Sequence, residues 1–219
     1  MSSTDHEVRL TVKQLADGMR HVATANPFVA TAARGELTRP DIEALVRLEA
    51  ATLENVTTCL DLAAARFRNT PGASYLRDLA GTVAVDQAGI RAGAAALGIT
   101  PEEYPGQQLQ SIGYGYASFI NWLALHATPA AFALVAHTDL LLWHDACVVL
   151  TPALRAHQNL PMEVIAYFAS YEKPPEDVLE QSVQLVVHEV DTGADLGQAA
   201  DTARLMHDHL ASFWLSLGR

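Results

Sequence analysis

Apolar residues recur every three or four positions along most of the chain, which is the period of α-helices that bury one face. The pattern predicts helices over roughly 7–25, 38–67, 73–97, 113–127, 128–157, a short stretch after Pro161, about 173–192 and 196–217. No window shows the alternation of a half-buried strand, and there is no internal repeat. We therefore expect a single all-α domain over 1–219, a bundle of seven to eight helices.

Local signals mark several of the predicted helix ends. Thr38 can cap the second helix, with Pro40 in its first turn and Asp41 three residues after the cap. The segment "NPF" at 26–28 should end the first helix, and Gly98 should end the third. These signals make the helix boundaries testable.

Three long helices each carry one carboxylate in the middle of the face that should meet the core: Glu49, Asp86 and Asp139. A buried charge is costly unless it is paired or takes part in chemistry. A single acid could reach solvent or pair with an arginine such as Arg47 or Arg91. Because three helices repeat the pattern, we favour a shared interior pocket and predict these acids as catalytic residues.

Aromatic residues lie near the same positions along the helices. Trp143 follows Asp139 by one helical turn, Tyr116 lies on the apolar face of the fourth helix, and Phe213 lies on the last helix. Such residues are commonly part of a core, although a buried tyrosine hydroxyl needs a partner. We predict Tyr116, Trp143 and Phe213 as substrate-binding residues.

Histidines give a less specific signal. On the seventh predicted helix, His188 and Asp191 share one side at a spacing that metal ligands can use, but Glu180 on that side favours a solvated face. They are the only metal candidates, and the pattern leaves open whether His137, His144, His188 and His209 face the interior. No zinc-binding, phosphate-binding, dinucleotide-binding or nucleophile-elbow motif occurs in a convincing context.

Composition restricts the class of partner. The formal net charge is −11 with only 14 Lys and Arg residues, which disfavours nucleic-acid binding. The two cysteines, Cys59 and Cys147, form no short-spaced pair, as expected in a reducing compartment. The first residues do not resemble a signal peptide, and no uninterrupted apolar run approaches about 18 residues. We expect a cytoplasmic protein with a small-molecule substrate and no nucleic-acid or membrane partner.

The stretch "ANPFVATAARGELTRPDIEALVRLEAATL" at 25–53 resembles the thiaminase II (TenA) family. Shorter similarities follow in "AAALGI" at 94–99, "YASFI" at 116–120, "AYFASY" at 166–171 and "FW" at 213–214. The family has the heme-oxygenase-like all-helical fold, which it shares with the PqqC oxidases and with diiron oxidases. The resemblance thus implies that fold, in a divergent member, and a homo-oligomer.

Carried over by position, the resemblance falls on the residues already singled out. The family's pyrimidine-binding aspartate aligns with Glu49, a pocket tyrosine with Tyr116, the nucleophilic cysteine with Asp139 and a second pocket tyrosine with Trp143. An acid early in the family's third helix falls near Asp86. The resemblance therefore implies that these residues line one pocket.

Departures from the family pattern argue against thiamin hydrolysis. Asp139 cannot supply a thiolate, Cys147 lies off the apolar face, and the last-helix glutamate of the family aligns with Leu210. The diiron relatives have a histidine seven residues after a third-helix glutamate, whereas Gly93 is seven residues after Asp86. Neither the thiaminase nor the diiron residue set is complete.

Three hypotheses follow. The first is a TenA-like enzyme for a nitrogen-containing heterocycle or natural-product intermediate, in which Asp139 is the general acid–base and Glu49 or Asp86 its ionised partner, with no assigned cofactor. The second is an oxygen-using enzyme of the same fold, either dependent on a metal such as iron or manganese, or cofactorless. The third is a non-catalytic ligand-binding protein, which a ligand would stabilise without product formation.

Overall fold

A computed structural model describes residues 2–104 and 112–217. In these ranges the chain is all-α, as predicted, with one short 3₁₀ turn at Pro101–Glu103. The helices are α1 (Ser3–Thr24), α2 (Pro27–Ala33), α3 (Arg39–Arg66), α4 (Gly72–Ala96), α5 (Tyr114–His126), α6 (Pro129–Ala156), α7 (Met162–Ser170), α8 (Glu176–Asp191), α9 (Leu196–Arg204) and α10 (Met206–Leu215).

The capping signals read from the sequence are confirmed at α3 and α4. The Thr38 hydroxyl accepts from the Asp41 backbone N–H at 3.4 Å, and the Asp41 carboxylate accepts from the Thr38 N–H at 2.8 Å. Gly98, two residues after α4, has φ +80°, a left-handed conformation that glycine adopts without strain. These caps satisfy backbone groups that a helix end would otherwise leave unpaired.

Two features of the helices were not predicted. The segment at 26–28 ends α1 but also begins α2, because Asn26 accepts from the Val29 N–H at 2.9 Å and Pro27 suits the first helical turn. The predicted last helix is divided into α9 and α10 at Leu205, whose N–H bonds to the Thr202 carbonyl. No glycine or proline marks that break, so the sequence carries no signal for it.

Packing places α6 at the centre of the fold. It contacts α1, α2, α7, α8 and α9, while α3 packs along α4 and α5 contacts both α3 and α10. The apolar core is continuous and includes residues from every one of these helices. As a result, the middle of α3, α4 and α6 faces the interior of the bundle.

The short helix α7 comes very close to α4. A Cβ atom added at Gly93 would lie 3.3 Å from the Val164 Cα, so only glycine fits there without a shift of backbone. This contact holds α7 against α4 and orients the tyrosines that follow Val164.

Helix α6 is the one described helix long and apolar enough to cross a membrane by length and composition. Half of its most apolar window is buried inside the protein, and a central core helix passes the same test. Its contacts with five other helices account for its apolar character here.

Candidate functional site

A cavity of about 100 Å³ lies within the bundle, and all three predicted carboxylates border it. Glu49 comes from α3, Asp86 from α4 and Asp139 from α6. The remaining walls are mainly apolar and aromatic. The structure thus brings the three acids together, while their catalytic roles stay predictions.

Asp139 is held by a tyrosine from the neighbouring helix α5. The Tyr116 hydroxyl donates to Asp139 Oδ2 at 2.7 Å. Burial raises the pKa of Asp139 to about 6, although the Tyr116 hydrogen bond opposes this by stabilising the carboxylate. Asp139 keeps some accessible surface because it borders the cavity. Near neutral pH both of its protonation states are populated.

Glu49 is buried more completely, with 5% of its surface accessible. Its Oε1 accepts a hydrogen bond of 2.6 Å from the Tyr167 hydroxyl. Burial raises the pKa of Glu49 to about 8, and the negative charges of Asp139 and Asp86 add to the increase. The Tyr167 hydrogen bond acts in the opposite direction and is too weak to cancel the loss of water. Glu49 is therefore mostly protonated at neutral pH.

Asp86 completes the group from the α4 side. Burial raises its pKa, and the nearby Tyr171 hydroxyl opposes the increase. Tyr171 also borders the cavity, and its ring packs edge-on against Tyr167 with centroids 5.4 Å apart. Two of the three carboxyl groups thus accept a tyrosine hydrogen bond, and the third has a tyrosine close to it.

Sequence reasoning missed Tyr167 and Tyr171. They lie four residues apart, one in α7 and the other at its C-terminal cap, and so point to one side of that helix. The segment "AYFASY" was recognised only as a family resemblance. Its two tyrosines at helical spacing, in an otherwise apolar stretch, are a signal that could have identified them.

The three predicted aromatic residues all line the cavity. Trp143 lies edge-on to Phe213, with centroids 6.0 Å apart, and stacks on Trp214 behind the wall at 5.8 Å. Tyr116 contacts Phe213 edge-on at 6.0 Å. The indole nitrogen of Trp143 is buried without a hydrogen-bond partner in the described residues. These contacts form a rigid aromatic wall beside the acids.

No Lys, Arg or His belongs to the cavity lining that the structure describes. The two arginines considered as partners for the acids bind elsewhere: Arg47 lies 3.5 Å from Glu43, and Arg91 lies 2.9 Å from Glu54. The buried carboxyl groups are therefore not neutralised by a basic side chain of the lining.

The structure shows where the four histidines left open by the sequence lie. His137 is buried, but its Nδ1 lies 2.6 Å from Ser182 Oγ, between α6 and α8, and burial lowers its pKa to about 4. His144 donates to the Tyr171 carbonyl at 2.6 Å, His209 stacks on Phe119 at 4.6 Å, and His188 is exposed. None of them borders the cavity.

The secondary metal candidates, His188 and Asp191, do not form a binding site. Both side chains are exposed, and Asp191 accepts a hydrogen bond of 2.7 Å from the Thr4 hydroxyl. Across residues 2–104 and 112–217, no group of three His, Cys, Asp or Glu residues is placed to hold a metal ion. This side of α8 is exposed to solvent at both positions.

Leu210 and Asp139, where the sequence resemblance implies departures from the family pattern, both border the cavity. Cys147 is fully buried outside the lining, and burial raises the pKa of its thiol well above the usual value. A buried neutral thiol is unreactive, so Cys147 is a poor candidate for a nucleophile.

Known structures define the class of this architecture as the heme-oxygenase-like fold. A domain of unknown function with that fold, from Shewanella denitrificans OS217, is similar over 97% of this chain and 89% of its own, with TM-score 0.67 and 15% identity. A TenA homologue from P. horikoshii OT3 is similar over 98% of this chain and 97% of its own, with TM-score 0.70 and 15% identity.

A TenA homologue from Pyrococcus furiosus is similar over 94% of this chain and 99% of its own, with TM-score 0.69 and 11% identity. No family model matches the sequence, and no curated protein matches it either. At these identities the likeness shows the fold, and the predicted resemblance to TenA proteins is confirmed at that level.

Proposed function

We propose that the protein is a TenA-like enzyme that performs carboxylate acid–base chemistry on a small nitrogen-containing heterocycle or natural-product intermediate. The observation that carries this proposal is that three carboxyl groups, each in a different environment, share one interior cavity. Carboxyl groups whose pKa values are pushed apart are typical of sites that need both an acid and a base.

Asp139 is the general acid–base of this proposal. A catalytic group works best when its pKa is near the working pH, and the pKa of Asp139, about 6, meets that condition. The Tyr116 hydroxyl fixes Oδ2, so that the second oxygen can exchange a proton with a ligand. A proton moves between Asp139 and a nitrogen or carbon atom of the bound compound.

The other two acids have different roles. Glu49, with a pKa of about 8, is protonated at neutral pH and donates a hydrogen bond to the ligand. Asp86 is less deeply buried than Glu49 and is the ionised partner of Asp139. Of the two partners that the sequence left open, we therefore assign this role to Asp86.

The cavity size supports a small, flat ligand. Its volume of about 100 Å³ is somewhat below the roughly 150 Å³ of an engineered apolar cavity that accepts benzene. The ring faces of Tyr116, Trp143 and Phe213 offer a planar compound extensive contact area. A single small ring is about the largest ligand that fits this volume.

The iron-dependent alternative is less well supported by the residues. Non-heme iron sites typically combine carboxylates with histidine, and the described lining contains no histidine. Two of the three carboxyl groups also accept a tyrosine hydrogen bond through one oxygen. This donor set does not fit an iron centre, and we derive no metal-dependent step.

Candidate heterocycles can be screened by mass spectrometry of reaction mixtures, and the first substrate can then be tested with Asp139→Asn. Loss of a general acid–base should lower kcat by about 10²- to 10⁴-fold. Asp145→Asn is the matched control, because Asp145 lies on the same helix but pairs with Arg20 at the surface at 2.7 Å. Unchanged kcat in Asp139→Asn would refute the proposal, and ligand stabilisation without any product would instead indicate a binding protein.

A further inference from the structure

The charge of the cavity lining is unbalanced. Three carboxyl groups border it, and the described lining contains no basic side chain. The segment 105–111, which lies outside the described residues, has the sequence PGQQLQS and contains no Lys, Arg or His. Acids held this close repel one another when ionised, and within this part of the protein nothing basic relieves that repulsion.

The two tyrosine hydroxyls that contact Asp139 and Glu49 already use their protons on these acids. The Tyr116 hydroxyl uses its proton on Asp139 Oδ2, and the Tyr167 hydroxyl uses its proton on Glu49 Oε1. For Asp139, Tyr116 is the only hydrogen-bond partner in the described residues, so Oδ1 remains an acceptor. A ligand that presents N–H donors matches these oxygens better than one that presents acceptors.

The aromatic wall is also suited to a positive charge. Trp143, Tyr171 and Phe213 border the cavity together with the acids. The faces of such rings attract cations, most strongly where water is excluded, as in sites that bind organic ammonium groups. An ammonium or amidinium group between an acid and a ring would gain from both.

We propose that the ligand binds as a small organic cation, carrying an ammonium or amidinium group that contacts the carboxyl groups while its apolar part contacts the aromatic wall. This inference rests on the proposed function, since it specifies the substrate class of the same cavity. The cation supplies the positive charge that the lining lacks, and its N–H groups donate to Asp139 Oδ1, which Tyr116 leaves free, and to Glu49 once it loses its proton. A neutral compound of equal shape supplies no such charge.

Binding of a cation should depend on pH in a defined direction. Within residues 2–104 and 112–217, the titratable groups that border the cavity are Glu49 from α3, Asp86 from α4, Tyr116 from α5, Asp139 from α6 and Tyr171 from the end of α7; Tyr167 of α7 contacts Glu49 from behind. A cation favours the ionised acids, so affinity should rise from pH 5 to 8 as Asp139 and then Glu49 lose their protons. An alkyl ammonium group stays protonated throughout this range.

The test compares cyclopentylamine with cyclopentanol, which have nearly the same shape but differ in charge. Isothermal titration calorimetry of the full chain at pH 8, in phosphate buffer, should show the amine binding at least about 10-fold more tightly. The preference should shrink at pH 5. Equal affinities at pH 8, or tighter binding of the alcohol, would overturn the inference, and this comparison on the unmodified protein does not depend on any variant folding.

Two variants test whether the preference for the amine arises in the cavity. Asp86→Asn should reduce the preference for the amine, because it removes one acid while keeping the size of the side chain. Asp78→Asn is the control on the same helix, where Asp78 is exposed and outside the lining. An equal change in both variants would place the amine elsewhere and count against the inference.

The outcomes separate this inference from the proposed function. A clear preference for the amine in a protein that converts no heterocycle would refute the enzyme while retaining the cation site. Turnover of a neutral compound, with no preference for the amine, would support the enzyme and refute the cation site.

Discussion

Two glutamates in this protein show how strongly position controls the chemistry of one side chain. Glu180 lies on the surface of α8, where Arg9 of α1 contacts both of its oxygens at 2.7 and 2.9 Å, and this pairing lowers its pKa to about 2. Glu49 lies in the cavity with a tyrosine and two further acids, and burial raises its pKa to about 8. The same group is therefore always ionised at one place and mostly neutral at the other.

The difference has two physical sources. Around Glu180, water and a guanidinium both favour the charged form, and the exposed pair contributes little to folding. Around Glu49, water is excluded and the nearest charges are negative. The surface pairs are compatible with stability alone, whereas the cavity acids cost stability at neutral pH, as expected of residues with the role proposed above.

The largest effect that tests this comparison is the pH dependence of stability. The pKa of Glu49 rises from its ordinary 4.5 to about 8 on folding, so between these values the folded state binds more protons than the unfolded state. Stability therefore falls as the pH rises from 4.5 to 8, by on the order of 4 kcal/mol for this group. Glu49→Gln should remove this loss and be more stable than the parent at pH 8, but not at pH 4.5.

Urea unfolding of both proteins at pH 4.5 and pH 8 measures this difference directly. Glu54→Gln is a suitable control, since Glu54 lies on the same helix in an exposed pair with Arg91. Parallel pH curves for the parent and Glu49→Gln would mean that Glu49 ionises freely in the folded protein.

A second, smaller effect concerns the tyrosine that holds Asp139. Tyr116→Phe removes the hydrogen bond that stabilises the Asp139 carboxylate, so its pKa should rise further above 6. A hydrogen bond to a charged group contributes about 1.5–3 kcal/mol, which corresponds to a rise of about 1–2 pH units. Carbon-13 NMR of the aspartate carboxyl groups would record the titration.

Tyr114→Phe is the control for that experiment, because Tyr114 lies on the same helix with 42% of its surface exposed. An unchanged titration of Asp139 in Tyr116→Phe would show that the hydroxyl makes no difference to the acid. The proposed role of Tyr116 in setting the proton affinity of Asp139 would then be wrong.

The smallest effect is expected at the surface glutamate. Glu180→Gln should cost less than about 1 kcal/mol at pH 7, because half of the Glu180 side chain is exposed and water screens the pair. The folded-state pKa is lowered here, so the contribution is present above pH 4.5 and is lost as the pH falls toward 2. Urea unfolding at pH 7 and pH 3 checks both statements, and a loss above 2 kcal/mol would contradict them.

Much of this site could be predicted because helical periodicity reports which face is buried. Glu49, Asp86 and Asp139 interrupt apolar faces, and the structure places all three at one cavity. Tyr116, Trp143 and Phe213 follow from the same argument. The sequence could not show which acid is most deeply buried, because that depends on how α3, α4 and α6 pack, and it could not decide between Glu49 and Asp86 as the ionised partner.

Other features escaped because the sequence signals conflict or are absent. Asn26 and Pro27 are compatible with the end of one helix and with the start of another. In this protein they do both, because the chain after them continues as a helix. The break at Leu205 has no glycine or proline and follows from packing alone. Tyr167 and Tyr171 reach the acids because α7 lies against Gly93, a tertiary contact that no local pattern encodes.

The stacked pair of Trp143 and Trp214 makes the protein its own optical probe. Trp122 is the third tryptophan, and 43% of its surface is exposed. In Trp122→Phe, the tryptophan fluorescence would therefore come from Trp143 and Trp214 alone. Trp143 forms part of the cavity wall, so a compound that binds in the cavity would contact it and change the wavelength and intensity of this fluorescence. A library of unlabelled compounds can thus be screened for ligands by tryptophan fluorescence, before any reaction is known.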